Sequence, residues 1–404
     1  MSMNIYNSSF LTDDFAFVLR TKMRYGVGSA NLLSQYLREL SLDRVGFVVD
    51  GNLLDRSQAV RRVVDEIKKV CRSVIVEEYR ESFEPTYQYL DVVKCRFKNG
   101  DTPLIDGIVA IGGGSVLDTA KGIAILCTNH GAALEYRGFP EHLNQPLPVI
   151  AIPSTAGTGS EVVYNASFID LQSRVKMGIN SSLNYPVLAI LDPLMASGAP
   201  GPVVVSSGVD AFVHAFESYF SKKENYLNRL FARESLRLSY TTLPLLKKDT
   251  NNLELCGRMQ LAAYLAMIAL SNSSSGPAAS LSYLLGTHFN VPHGVAGGAL
   301  IAKVARLNHE LGYYGYAELA DVFGGGEYQN KDTKTKSDNV VVCVERFVSD
   351  LGIPSDLSSF GVRREHIPQF LEFCRNSLKS ARELNPVALP DDVMGKFIER
   401  LITH

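Results

Sequence analysis

The sequence of 404 residues has almost no excess of charge, and it has no closely spaced pair of cysteines. Its formal net charge of −2 gives no field that would attract nucleic acid or an anionic membrane, so we expect neither as a partner. The six cysteines are scattered without a CxxC pair. This pattern argues against a zinc knuckle or a disulfide framework and predicts reduced, buried thiols.

Long apolar runs are also missing. No segment contains the roughly 18 unbroken apolar residues that a membrane helix needs. The first residues, Met1 to Arg20, include Asp13 and Asp14 and have no apolar core of signal-peptide length. We therefore expect a cytoplasmic protein, and its length predicts two domains.

A glycine-rich turn separates a predicted strand from a predicted helix. The apolar run Ile108–Ile111 has the length of a buried parallel strand, and helical spacing begins at Val116. Between them, Gly112, Gly113 and Gly114 permit a sharp turn and the close approach of a ligand, and the following helix start favours an anion. The pattern predicts a diphosphate site, although an ordinary glycine turn has the same local sequence.

Strands and helices alternate through the first half of the chain, which predicts a parallel sheet. Asp50 follows an apolar strand, where it can bind the hydroxyls of an adenosine ribose and repel a 2′-phosphate, or cap the next helix. Eight small or polar residues, Ser154–Glu161, can line a pocket at another strand end. Lys176 can reach the same cleft or lie at the surface as a solvated lysine.

Helical periodicity dominates from about Ser206 to the C-terminus, so we expect an α/β domain over residues 1–196 and an all-α domain over 197–404. The polar segment Gly324–Asn339 predicts a mobile loop. Asp210 and His214 are four residues apart and share a helix face, a spacing that more often gives a stabilising hydrogen bond than a metal site. With His293 at a later helix entry, however, the chain offers three candidate metal ligands on two helices.

Five motifs stand in the order and spacing of the iron-containing alcohol dehydrogenases, which the chain therefore resembles. They are Gly112–Lys121, Pro153–Glu161, Asp210–Glu217, Pro292–Gly294 and Leu384–Pro386. The resemblance implies an α/β N-terminal dinucleotide-binding domain with a parallel sheet, an all-α C-terminal domain, and an active site in the cleft between them.

The resemblance also implies the ligands and their contacts. NAD(P) would contact nine residues: Asp50, Gly112, Gly113, Gly114, Ser115, Asp118, Thr155, Ser160 and Lys176. A divalent metal, iron or zinc, would be held by Asp210, His214 and His293, and the substrate would be a small alcohol or aldehyde. Asp50 favours NAD(H) over NADP(H), and we expect a homodimer.

Two positions depart from the family pattern. Ala279 stands where members usually carry a further metal histidine, and Tyr283 stands where they carry a histidine of the proton relay. Tyrosine titrates near pH 10, so Tyr283 with Asp210 and His214 forms an unusual candidate catalytic set. His288 could replace the missing ligand. A tyrosine at position 283 resembles the branch of the family that acts on the sugar acid 3-deoxy-octulosonate. The branch resemblance implies a polar or anionic substrate, such as a sugar acid or a phosphonate aldehyde.

The sequence therefore predicts an NAD(P)-dependent oxidoreductase that interconverts an alcohol with an aldehyde or ketone. Two other interpretations stay open at this point. One is a carbon–oxygen lyase of the dehydroquinate synthase type, which shares the fold. The other is a nucleotide-binding pseudoenzyme, which Ala279 and Tyr283 suggest.

Overall fold

The computed structural model describes residues 14–81, 84–324, 328 and 330–403. The strands are β1 (Lys22–Tyr25), β2 (Arg44–Asp50), β3 (Ser73–Tyr79), β4 (Lys98–Asn99), β5 (Thr102–Pro103), β6 (Gly107–Gly112), β7 (Val149–Pro153), β8 (Ala166–Asp170), β9 (Val175–Ile179) and β10 (Leu188–Leu191). Residues 1–13 of the N-terminal segment lie outside the described part.

The α-helices are α1 (Leu33–Glu39), α2 (Gly51–Arg56), α3 (Gln58–Val70), α4 (Tyr87–Val93), α5 (Gly114–Thr128), α6 (Pro193–Ala196), α7 (Gly201–Tyr219), α8 (Tyr226–Leu246), α9 (Leu253–Ser271), α10 (Pro277–Phe289), α11 (His293–Glu310), α12 (Ala320–Gly324), α13 (Thr333–Asp350), α14 (Ile367–Asn376), α15 (Lys379–Leu384) and α16 (Asp391–Thr403). Short 3₁₀ turns join several of them.

Six strands form one parallel sheet in the order β1-β10-β7-β6-β2-β3. β6 and β7 are buried along their whole length, because successive side chains enter two apolar cores on opposite faces of the sheet. Asp50, Gly112 and Pro153 end three adjacent strands, so the glycine turn and its neighbours meet at one edge of the sheet. The predicted α/β class with a parallel sheet is confirmed.

Two strands depart from the alternation of parallel strands and helices that the first half of the sequence predicts. β8 pairs antiparallel with β9 in a separate hairpin instead of continuing the parallel sheet. β1, which had no strand signal, pairs in parallel with β10 although all four of its residues are exposed. Its sequence, Lys-Met-Arg-Tyr, has no apolar run, so its position depends on the partner strand.

The second half of the chain is helical, as predicted, and the described residues after Leu191 contain no strand. α7, α8, α9 and α11 share one apolar core. The predicted loop over residues 324–339 is wrong from Thr333, because Asp332 accepts a hydrogen bond from the backbone N–H of Thr335 and starts α13 there. The domain boundary at 196/197 stays a prediction.

One helix, α9, is long and apolar enough to cross a membrane by length and composition alone, with a mean hydropathy of 1.3. It packs against α7 and α8 and contributes Cys256, Met259 and Ala266 to the apolar core. Core helices of globular proteins pass the same test, so the finding is weak evidence for a membrane span.

All six cysteines are free. Cys127, Cys256 and Cys374 are buried, as predicted, whereas Cys95 is exposed because it lies in a short 3₁₀ turn after α4.

Candidate active site

A cleft of about 770 Å³ runs between the carboxyl edge of the sheet and the start of the helical half. The first half contributes the end of β2, the glycine turn, Thr155 and Lys176. The second half contributes α10 and the segment from Asn290 to His293. The volume is in the range of ligand sites in enzymes.

The glycine turn forms the middle of the cleft. Gly113 is the N-cap of α5 and makes no side-chain capping bond, so the first N–H groups of the helix are available to an anion. A side chain at Gly113 would point at Thr155, since a Cβ there would lie 3.3 Å from the Thr155 methyl and hydroxyl groups. Gly113, Gly114 and Ser115 all line the cleft, which is the position that a diphosphate would need.

Asp50 lines one end of the cleft and also caps α2, because its Oδ1 accepts the Leu53 N–H at 3.0 Å. Asp50 can therefore both cap α2 and bind the adenosine ribose, the two functions that the sequence left open. Glu81 lines the same end of the cleft. Burial raises the pKa of the nearby Tyr79 hydroxyl, and the negative charges of Glu81 and Asp50 raise it further. Sequence reasoning missed Glu81, although a second acidic residue just after β3 was a signal.

Asp118 and Ser160 contact each other below the cleft. Ser160 Oγ donates to Asp118 Oδ1 at 2.5 Å, and Asp118 Oδ2 accepts the Ser167 N–H at 2.9 Å. Lys121 is fully buried, lies 3.1 Å from Asp118, and donates to main-chain carbonyls of the Ser160–Asn165 segment. Asp118 and Lys121, three residues apart on α5, are therefore in contact. The predicted cofactor contacts of Asp118 and Ser160 stay predictions, since neither lines the cleft.

Asp210, His214 and His293 converge, with their ligand atoms within 4.8 Å of one another, and His293 lines the cleft. The Nε2 atoms of His214 and His293 lie 3.5 Å and 3.7 Å from the same oxygen, Oδ1 of Asp210. These distances are too long for good N–H···O hydrogen bonds, so three lone-pair donors converge without satisfying one another. The sequence predicted these three residues correctly as one cluster.

The surroundings of the cluster prepare it for a cation. Ser282 donates to the Ala279 carbonyl at 2.5 Å and can therefore accept from His293 Nδ1 at 2.8 Å, which leaves Nε2 free to bind. Burial lowers the pKa of His293 to about 4 against the opposing effect of Asp210, so the imidazole is neutral near pH 7. His214 Nδ1 is buried without a protein partner in the described part of the chain. The donor set and its burial fit a divalent metal.

One glycine permits this convergence. A Cβ at Gly294 would lie 1.8 Å from the Ser206 carbonyl oxygen of α7. Only a bare backbone therefore lets α11 cross α7 closely enough to bring His293 to Asp210. The motif Pro-His-Gly thus supplies both a ligand and the contact that positions it.

Ala279 and Tyr283, the two positions that depart from the family pattern, have different surroundings in the structure. Ala279 lies in the first turn of α10, 3% exposed, and its N–H donates to Glu217 at 3.2 Å. His288 is exposed and bonded to Thr287, outside the metal group, so the hypothesis that it replaces the missing ligand is wrong. Tyr283 lines the cleft with its ring 4.7 Å from the His293 ring.

Tyr283 is a weak acid in this position. Removal from water raises the pKa of its hydroxyl, and the nearby Lys176 ammonium opposes the shift without cancelling it. The side chain therefore keeps its proton near pH 7 and is suited to donate a hydrogen bond. Its assignment as a catalytic residue stays a prediction.

Lys176 is not a solvated surface lysine, since its side chain is only 14% exposed. Its Nζ lies 2.5 Å from Glu84 Oε2 and 5.2 Å from the centre of the Tyr283 ring. Burial acts to lower the pKa of Lys176, but Glu84, Tyr283 and Asp118 together outweigh it and hold the pKa above its usual value. Glu84 lines the cleft and was missed from the sequence, where nothing distinguishes it from other loop carboxylates.

Two family models match almost the whole chain. "Iron-containing alcohol dehydrogenase" covers residues 20–193, and "Fe-containing alcohol dehydrogenase family, C-terminal" covers residues 204–400. The chain is 34% identical to 1,3-propanediol dehydrogenase of Citrobacter freundii over 268 residues, 66% of this chain and 69% of that protein. It is 31% identical to NAD-dependent methanol dehydrogenase of Bacillus methanolicus over 262 residues, 65% of this chain and 68% of that protein.

A further relative and a solved structure agree with these matches. Sulfoacetaldehyde reductase of Bilophila wadsworthia is 29% identical over 298 residues, 73% of this chain and 76% of that protein. The crystal structure of a 1,3-propanediol oxidoreductase superposes with a TM-score of 0.88 at 26% identity, covering 96% of this chain and 100% of that chain. The relatives are named dehydrogenases and reductases, so neither a carbon–oxygen lyase nor a pseudoenzyme is favoured. The chain therefore belongs to the iron-containing alcohol dehydrogenase family and is an NAD(P)-dependent oxidoreductase that interconverts an alcohol with an aldehyde or ketone.

Proposed function

We propose that this enzyme uses NAD(H) in preference to NADP(H) and holds a divalent metal on Asp210, His214 and His293 while it acts on a small polar alcohol or aldehyde. The observation that carries the proposal is the convergence of three ligand atoms within 4.8 Å, one of them from His293 in the wall of the cleft that also contains the bare glycine turn. Asp50, the glycine turn and His293 line the same cleft, so a dinucleotide bound along it would bring its nicotinamide near the metal ligands.

The preference for NAD(H) rests on the charge at the ribose end. Asp50 and Glu81 both line that end, and a 2′-phosphate would face two carboxylates. The repulsion should cost NADP(H) on the order of 1–3 kcal/mol, as poorly compensated charge contacts do. The methanol dehydrogenase relative is named NAD-dependent, which supports the same preference here.

The metal proposal needs no ligand from position 279. Three protein groups are a common set for a catalytic divalent ion, and both iron and zinc accept imidazole and carboxylate ligands. Such an ion, when bound, supplies Lewis acidity to the substrate oxygen. The chain's own residues position it: Asp210 and His214 from one helix turn, and His293 through its contact with Ser282.

The remaining groups act on the substrate and the cofactor. Tyr283 keeps its proton and can donate a hydrogen bond beside His293, and Lys176 can approach the nicotinamide end of the cofactor. The glycine turn has no side chain in the space in front of Thr155, so this space stays open for the diphosphate. A substrate of polar or anionic character, such as a sugar acid or a phosphonate aldehyde, stays within this proposal, since one relative is named for the anionic sulfoacetaldehyde.

We also propose a cytoplasmic homodimer. Six free cysteines, of which one is exposed and two are half-buried, suit a reducing compartment. The exposed edge strand β1 offers unpaired backbone groups to a second copy, with Met23 and Tyr25 on it about 40% and 41% exposed.

The test is steady-state oxidation of NADH and of NADPH with a panel of aldehydes, before and after treatment with a chelator. We expect stoichiometric cofactor turnover, lower activity after chelation, and a dissociation constant for NADPH about tenfold or more above that for NADH. Equal binding of the two cofactors would remove Asp50 and Glu81 from the ribose site. Full activity after complete removal of metal would remove the three ligands from the reaction.

A further inference from the structure

Glu84 and Lys176 form an ion pair at the end of the cleft that holds the metal ligands. Glu84 Oε2 lies 2.5 Å from Lys176 Nζ. The ammonium lies 5.2 Å from the centre of the Tyr283 ring, and this ring lies 4.7 Å from the ring of His293. The pair therefore borders the space beside the metal ligands, where a substrate would be held.

The backbone fixes the two side chains beside each other. Lys176 on β9 is paired with Ile169 on β8, and the Ile169 N–H donates to the carbonyl of Pro85 at 2.9 Å. Thr86 bridges to Ile169 and caps α4 with its side chain. Glu84, one residue before Pro85, is thus held next to Lys176 by main-chain contacts. The ion pair therefore has a fixed position in the wall of the cleft.

Each partner keeps unused hydrogen-bonding capacity. Within the described residues, two N–H donors of Lys176 and the Oε1 atom of Glu84 have no protein partner. A neutral hydroxyl can accept from the ammonium and donate to the carboxylate at the same time. An ionised sulfonate or carboxylate cannot donate, and it would also meet the negative charge of Glu84.

The charged residues that line the cleft also disfavour an anionic substrate. Among its described lining residues Lys176 is the single lysine or arginine, whereas three carboxylates line it: Asp50, Glu81 and Glu84. The ion pair cancels this one positive charge, so the described lining residues leave no unpaired lysine or arginine to bind an anionic substrate.

We propose that Glu84 is a specificity-determining residue, which selects a neutral, hydroxyl-bearing alcohol or aldehyde and rejects anionic ones. This inference rests on the proposed oxidoreductase function and narrows its polar or anionic substrate class to the neutral members. Loss of the Glu84 charge frees Lys176 and converts the same wall into an anion-binding surface.

The test uses three aldehydes that differ only in the group on the second carbon: acetaldehyde with hydrogen, glycolaldehyde with a hydroxyl, and sulfoacetaldehyde with a sulfonate. We measure kcat/KM for each with NADH and the metal-loaded full chain, for the wild type, Glu84→Gln and Glu84→Ala. The wild type should prefer glycolaldehyde and should use sulfoacetaldehyde least. In both variants the ratio of sulfoacetaldehyde to glycolaldehyde kcat/KM should rise by at least about tenfold, because like-charge repulsion is removed.

Glu81→Gln is the matched control, because it removes another carboxylate that lines the cleft but is not the ion-pair partner of Lys176. It should leave the ratio between the two aldehydes unchanged. An unchanged ratio in both Glu84 variants, or an equal rise in Glu81→Gln, overturns the inference while NADH-dependent turnover upholds the proposed function. If the wild type consumes NADH with none of the aldehydes, the proposed function fails and the inference fails with it.

Discussion

Glu217 lies one helical turn after His214 on α7, yet it has a different partner. Its two oxygens accept three backbone N–H groups at the start of α10, from Gly276, Ala278 and Ala279. Burial raises the pKa of Glu217 to about 7, although these three bonds act to lower it. The carboxylate therefore attaches α10 to α7 and fixes the backbone of position 279 beside the metal cluster.

The alanine at position 279 gives a prediction about the metal. Ala279→His should tighten metal retention by about tenfold or more if the position corresponds to the family's ligand, because an imidazole is added next to His293. Elemental analysis after dialysis against a chelator measures it, with Asp210→Asn as the variant that should lose metal. If wild type and both variants hold the same trace of metal, and the wild type still turns over NADH, the metal assignment is wrong.

Glu161 gives a prediction about pH. It is 2% exposed, and burial raises its pKa to about 7 from an ordinary value of 4.5, despite the opposing Lys121. Between these two pH values the folded state binds more protons than the unfolded state, so this group makes the free energy of unfolding fall as pH rises.

Glu161→Gln should remove this contribution. The stability of the wild type relative to the variant should decrease by about 2–3 kcal/mol between pH 4.5 and 7. Urea unfolding across that range measures it, and the comparison with the variant cancels the contribution of Glu217. Parallel pH profiles for the two proteins would mean that Glu161 ionises normally in the fold.

At the scale of helices and strands, the close approach of α11 to α7 is what makes the metal cluster. Gly294→Ala should push the helices apart, since its Cβ would lie 1.8 Å from the Ser206 carbonyl oxygen. We expect a loss of about 1–3 kcal/mol of stability and most of the bound metal. Thermal unfolding and elemental analysis measure the two effects.

Gly297 provides the control on the same helix. A Cβ there would lie 3.4 Å from Val213 of α7, an ordinary contact. Gly297→Ala should keep its metal and gain up to about 1 kcal/mol, because alanine is the better helix former. Equal behaviour of the two variants would mean that the crossing does not depend on Gly294.

The elements of the first half could be predicted where local pattern decides them. Local sequence determines the apolar strand, the three glycines and the helical spacing from Val116. The structure begins α5 at Gly114, two residues before the start that this spacing predicts. β1 and the first turns of α13 could not be predicted, because β1 depends on pairing with β10 and the start of α13 is polar. Asp210, His214 and His293 carry recognisable spacing, whereas Glu84 and Glu81 acquire their positions only when β3, β8 and β9 are assembled.

At the scale of the whole molecule, the cleft lies between the two halves of the chain. NADH and the metal should bind at different places along it, so each should stabilise the folded chain separately. A ligand at a hundred times its dissociation constant adds about 2.7 kcal/mol to the free energy of unfolding. NADH and a divalent metal should therefore each raise the melting temperature of the wild type.

Gly113→Val should abolish the rise caused by NADH and preserve the rise caused by metal. Gly113 has φ of −77° and ψ of −175°, an extended conformation that valine adopts without backbone strain, so the fold should be kept with a small shift of the Thr155 side chain. The branched side chain would fill the space in front of Thr155 that the diphosphate needs. Differential scanning fluorimetry with each ligand measures both responses, and the metal response shows that the helical half is intact. A normal NADH shift in this variant would place the nucleotide away from the glycine turn, whereas loss of both shifts would indicate that the substitution disturbs the fold.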